Sequence, residues 1–160
     1  MLHHVSFCVR DPARVAQVLA GLLRATTVRA PTPPFPAGSW FVCAGDARGS
    51  YLEVLPLGHV FAPDAPGGLR PDPAASVHSG GHILVSSPLT PGEISAAATA
   101  AGWRSDVADT RLFQVIKVWV ENTVLVEFLT ADTAADYLRT FDKMGLGDLD
   151  ARLRQLEAGA

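Results

Sequence analysis

Cysteine is scarce in this chain. Only Cys8 and Cys43 occur among 160 residues, and they stand too far apart for a metal-binding spacing. That argues against a disulfide scaffold and a thiolate metal site, and reads as reduced, buried thiols of a cytoplasmic protein. An excess of positive charge is also missing. Thirteen Lys and Arg against sixteen Asp and Glu give a formal charge of −3, with no basic run. A nucleic-acid partner is therefore not expected. No apolar run is long enough to span a membrane, and no signal peptide precedes the first strand, so no membrane partner is expected either. Apolar residues, by contrast, make up 48% of the chain. That suits one compact domain or two small fused modules.

The most informative stretch is Thr123–Thr130, TVLVEFLT. It is short, β-branched and apolar, and so reads as a buried strand. Glu127 sits in its middle. A carboxylate there is costly unless it faces water, is paired, or binds a metal. The first half of the chain repeats the pattern: Tyr51–Pro56, YLEVLP, carries Glu53 in the matching place. Each half also opens on a histidine strand, HVSFCV from His4 and HILVSS from His82. The order His, then Glu, thus recurs at nearly one spacing, which marks an internal repeat of a supersecondary unit.

The remaining signals fit that repeat. Asp11 with Pro12 starts a helix in which Val15, Val18, Leu19, Leu22 and Leu23 keep helical spacing. Thr26–Ala30 and Trp40–Ala44 read as strands flanking a Pro-rich loop, Pro31–Gly38. Thr90-Pro-Gly-Glu93 is a capping box opening an alanine-rich helix. Trp103–Ser105 reads as a short strand and Leu112–Glu121 as a longer one, with Asn122 in the turn. The expected organisation is a first βαβββ module over 1–57, a Pro/Gly-rich linker over 58–79, a second βαβββ module over 80–130 and a helical extension over 131–160. In that extension Asp132 is expected to cap a helix with Tyr137, Leu138 and Phe141 inward, and Asp148 a last one carrying Leu149, Leu153 and Leu156. The linker is a functional cover, a partner contact or a plain connector. His59 and His78 within it read as exposed loop histidines.

With HVSFCVRD opening the first unit, GHILV the second and a glutamate strand closing each, residues Leu2 to Leu129 resemble the vicinal oxygen chelate superfamily. Its members include glyoxalase I, methylmalonyl-CoA epimerase, fosfomycin-resistance enzymes, bleomycin-binding proteins and extradiol dioxygenases. The Pro-rich loop and GSWFVCAGDARGSYLEVLPLG are more similar to an uncharacterised bacterial branch. The resemblance implies an α+β fold, two tandem βαβββ modules forming a curved mixed sheet around a cleft, with extra C-terminal helices. Its metal ligands, matched position by position, fall on His4, Glu53, His82 and Glu127, which are expected to converge in the cleft. His3 is the fallback if the register slips by one. The resemblance also implies a homodimer.

Two imidazoles and two carboxylates suit one divalent ion: nickel, cobalt, zinc, iron or manganese. Such an ion would bind two adjacent oxygens of a small-molecule substrate, acidify the neighbouring C–H and stabilise an enediolate. Glu127, and then Glu53, are the candidate catalytic residues that shuttle the proton. Ser6, Tyr51 and Ser86 share the ligand face by strand periodicity and are candidate substrate-pocket residues. The expected function is a metal-dependent lyase or isomerase of glyoxalase or epimerase type. The alternatives are a small-molecule binding or resistance-type protein and, third, an extradiol-type dioxygenase. The last is disfavoured by a short chain with two His and two Glu.

Overall fold

A computed structural model describes residues 3–63, 65, 68–78, 81–141 and 148–158. Strand β1 (His4–Val9) passes into helix α1 (Pro12–Leu23) at Asp11, whose side chain accepts a hydrogen bond from the Arg14 N–H at 3.1 Å. The cap satisfies a donor that the first turn leaves open, and Pro12 has no N–H there to lose. Helix α1 buries Val15, Ala16, Leu19, Ala20 and Leu22. It stops at Arg24, which takes the left-handed conformation. Strands β2 (Thr26–Arg29), β3 (Trp40–Cys43) and β4 (Tyr51–Pro56) complete the unit. A short hairpin, β5 (His59–Phe61) with β6 (Leu69–Pro71), then leads into β7 (Ile83–Ser86). Helix α2 (Pro91–Ala100) opens on the reciprocal Thr90–Glu93 box. Strands β8 (Arg104–Asp109), β9 (Gln114–Val120) and β10 (Val124–Leu129) follow, then helices α3 (Ala131–Phe141) and α4 (Leu149–Ala158).

The two four-stranded sheets have one topology. Their orders are β1-β4-β3-β2 and β7-β10-β9-β8, with the first strand parallel to the last and the other pairs antiparallel. In each, alternation sends one set of side chains to the helix. Val9, Val42, Leu52 and Val54 pack with α1; Ile116, Val118, Val126 and Phe128 pack with α2, in one shared core. The opposite face carries His4, Ser6, Cys8, Tyr51 and Glu53 in the first sheet, and Leu84, Ser86, Lys117 and Glu127 in the second.

Polar contacts also tie the units together. Arg14 Nη2 donates to the Ala101 carbonyl at 2.7 Å, and Ser87 Oγ to that of Leu22 at 2.5 Å. The Glu121 carboxylate, from the β9–β10 turn, accepts the N–H groups of Arg10 and Asp11 at 2.6 and 2.7 Å. Glu121 and Asn122 both have positive φ, at 49° and 58°.

Several expectations are corrected. The linker contains the β5–β6 hairpin, because Val60 and Phe61 find backbone partners in Leu69 and Arg70. Strand β8 runs on to Asp109, since β9 pairs along its length, and Trp103 is buried just before it. Helix α3 starts at Ala131, so Asp132 lies in its first turn instead of capping it, and the Thr130 N–H donates to Thr133 Oγ1. Tyr137 and Phe141 pack with Phe113, but Leu138 is exposed and Phe141 keeps 37% of its surface open. Leu153 is exposed as well. The side chain of Leu156, with Leu2, Pro66, Ser79 and Gly80, lies outside the described residues. Cys8 and Cys43 are free but only half-buried.

Candidate metal centre

Parallel pairing of β1 with β4 sets His4 beside Tyr51 and Ser6 beside Glu53. All four side chains leave the sheet on the face away from α1. His4 Nε2 stands 3.9 Å from Glu53 Oε1. Glu53 is 6% exposed. Tyr51 donates its hydroxyl to Glu53 Oε1 at 3.2 Å, and Ser6 Oγ donates to Oε2. The Tyr51 ring also stacks on the His4 imidazole, with centroids 4.8 Å apart. Desolvation, then the Glu53 charge and hydrogen bond, push the Tyr51 phenol above its ordinary pKa, so it remains a donor. Burial likewise raises the Cys8 thiol.

The second sheet repeats the pair. His82 Nε2 is 3.4 Å from Glu127 Oε2. Strand β10 places Glu127 opposite Leu84 on β7 and Lys117 on β9. Ser86 leaves the same face two residues beyond Leu84, and it lines a cavity of about 440 Å³ with His3, His4 and Tyr51. His3 does not share the ligand position: its Nδ1 meets the Arg48 carbonyl at 3.0 Å.

The pairs do not merge. Among the described residues no three His, Cys, Asp or Glu side chains are grouped so as to hold a metal. The reason lies at the seam between β1 and β7. One cavity there joins His4 to the Leu84–Ser86 end of β7; the other, of about 290 Å³, joins Ser6–Cys8 to His82. The two strands therefore run in opposite senses, and His4 and His82 stand at opposite ends of the seam. Among the described residues the expected convergence of four ligands is not met within one chain, which instead presents two separate His–Glu pairs.

One of the two pairs has a spacing that fits an ion as it stands. Ligand atoms ~2.1 Å from a common centre lie ~3.0–3.5 Å apart when adjacent. The His82–Glu127 separation of 3.4 Å falls in that range, the His4–Glu53 separation of 3.9 Å lies beyond it, and both are too long for strong hydrogen bonds. Sequence reasoning missed the hydroxyl clamp on Glu53, which depends on cross-strand register. It also missed the place of His59 and His78, which line the smaller cavity with His82.

No family model matches the chain, and no curated protein matches it. Solved structures do share its fold. The fosfomycin resistance protein FosX of Mesorhizobium loti superposes with a TM-score of 0.53 at 17% identity, over 86% of this chain and 96% of that one. A variant of FosX from Listeria monocytogenes, complexed with Mn(II) and 1S,2S-dihydroxypropylphosphonic acid, gives 0.55 at 13% identity, over 88% and 97%. The hypothetical protein SA1046 of S. aureus gives 0.52 at 12%, over 82% and 96%. The FosX proteins belong to the vicinal oxygen chelate superfamily, and this chain has that superfamily's fold.

Proposed function

We propose that this chain is a cytoplasmic homodimeric enzyme dependent on a divalent metal, of glyoxalase or epimerase type, acting as a lyase or isomerase on a small substrate with two neighbouring oxygens. One observation carries the reading: the same His–Glu pair recurs on the sheet face opposite α1 in one unit and opposite α2 in the other, yet among the described residues a single chain offers each pair only two ligands. Catalytic metal sites use three or four protein ligands. A two-fold pairing of chains supplies them, because it sets the first pair of one copy against the second pair of the other, twice over.

His4 and Glu53 of one copy would then hold the ion together with His82 and Glu127 of the other. Neutral imidazoles and carboxylates suit manganese, iron, cobalt, nickel or zinc. The bound ion would act as a Lewis acid on a substrate oxygen. Glu127 takes the proton from the adjacent carbon at a carboxylate oxygen and returns it, since among the described residues only the neighbouring His82 holds it. Ser86 lines the cavity at the His4 end of the seam and is a candidate substrate contact there.

A second reading, a small-molecule binding or resistance-type protein, is favoured by the FosX neighbours. Both readings keep the same metal site. Metal analysis and solution mass of untagged protein test it: one divalent ion per chain and a dimer mass are expected. A metal-free monomer at working concentration defeats it. Turnover of hydroxy-carbonyl compounds against small phosphonates then separates the two readings.

A further inference from the structure

The two glutamates are equivalent in the repeat but not in their surroundings. Glu53 has both oxygens engaged, Oε1 by Tyr51 and Oε2 by Ser6. Tyr51 is itself braced. Its ring stacks on His4 at 22° between planes and meets Phe41 edge-on at 5.2 Å. Phe41 is the β3 partner of Glu53 and meets Phe35 of the Pro-rich loop, centroids 5.0 Å apart. In the second sheet, Leu84 holds the position that Ser6 holds in the first, and Leu125 that of Tyr51. Neither leucine can donate a hydrogen bond. Among the described residues Glu127 thus has no comparable clamp.

We propose that Ser6 and Tyr51 are positioning residues that fix Glu53 as the stationary carboxylate of the metal site. The inference rests on reading the His–Glu pairs as halves of that site. It moves Ser6 and Tyr51 from substrate contact to ligand orientation. A carboxylate held at both oxygens presents its remaining lone pairs in one direction, and its rotation breaks two hydrogen bonds at once. The same Tyr51 ring that donates to Glu53 also fixes the His4 plane, so one side chain orients both ligands of the first half-site. Outer hydrogen bonds of this kind commonly change metal affinity by about 10- to 100-fold.

The test is a Mn(II) titration of the full chain, followed by loss of the free-ion electron paramagnetic resonance signal. Ser6→Ala and Tyr51→Phe are each expected to weaken binding by about 10- to 100-fold, with a changed spectrum of the bound ion. Tyr51→Phe keeps both ring contacts and removes only the hydroxyl, so it reports on the clamp even if Ser6→Ala folds poorly. Ser6→Thr retains the hydroxyl and is expected to keep wild-type affinity and spectrum, a rescue that a purely packing role does not predict. If wild type binds Mn(II) tightly and both deletion variants bind equally well, the inference fails while the metal-site reading survives. If wild type takes up no Mn(II), the reading fails and the inference with it.

Discussion

Replacing Glu127 by Gln keeps the size of the side chain but removes its charge and its basic oxygen. Glu127 is one of four proposed ligands, and among the described residues it is held only by a His82 nitrogen at 3.4 Å. An ion that binds only the folded chain stabilises it by ~2.7 kcal/mol at a hundredfold excess over Kd. For a chain of 160 residues that raises the melting temperature by roughly 5–10 °C. Loss of one anionic ligand that lowers affinity about a hundredfold brings the same Mn(II) concentration down to Kd. The stabilisation then falls to ~0.4 kcal/mol, a shift of about 1 °C. Thermal melts of wild type and Glu127→Gln, each with chelator and with Mn(II), measure both shifts. The reasoning is refuted if the wild-type melt ignores the metal while the variant melts higher in both conditions. Glu127 would then be an unpaired inward charge whose removal relieves the fold.

Two further outcomes follow from the fold. Phe128 is fully buried between the second sheet and α2, so Phe128→Ala should cost ~3–5 kcal/mol in chemical denaturation; a loss under ~1 kcal/mol would contradict the assigned core. The Thr90 hydrogen bonds hold the Glu93 carboxyl below its ordinary pKa. Its contribution is therefore present above the unfolded-state pKa and fades as pH falls through the lower folded value. Glu93→Gln should accordingly flatten the acid limb of the stability profile below pH ~4; an unchanged limb would count against the capping box as its cause.

The repeat was legible because it depends on local pattern. Two apolar strands with a central Glu, each preceded by a His strand, give a unit, and Asp11 and Thr90 mark its helices through contacts three residues away. What escaped the sequence is set by distant partners. Ser6 and Tyr51 could be placed on the face of Glu53 by periodicity. For Ser6 the hydrogen bond to Glu53 depends on the parallel register of β1 against β4, between residues 47 positions apart in the chain. The β5–β6 hairpin is hidden in a Pro-rich segment where no alternation announces strands, and the Glu121 contact joins opposite ends of the two modules. The separation of the two His–Glu pairs was equally invisible, because a spacing in the chain does not reveal the relative sense of β1 and β7.

Subunit complementation tests the two-chain site most directly. His4→Ala breaks the first half-site and His82→Ala the second, so neither homodimer has an intact centre. When the two variants are unfolded together in equal amounts and refolded, half of the dimers are mixed, and each mixed dimer regains one intact centre of two. Tight Mn(II) binding at about a quarter of the wild-type capacity in the mixture, with none in either variant alone, is the predicted result. A mixed dimer population with no tight binding, beside a wild type that binds, would contradict a site shared between two chains.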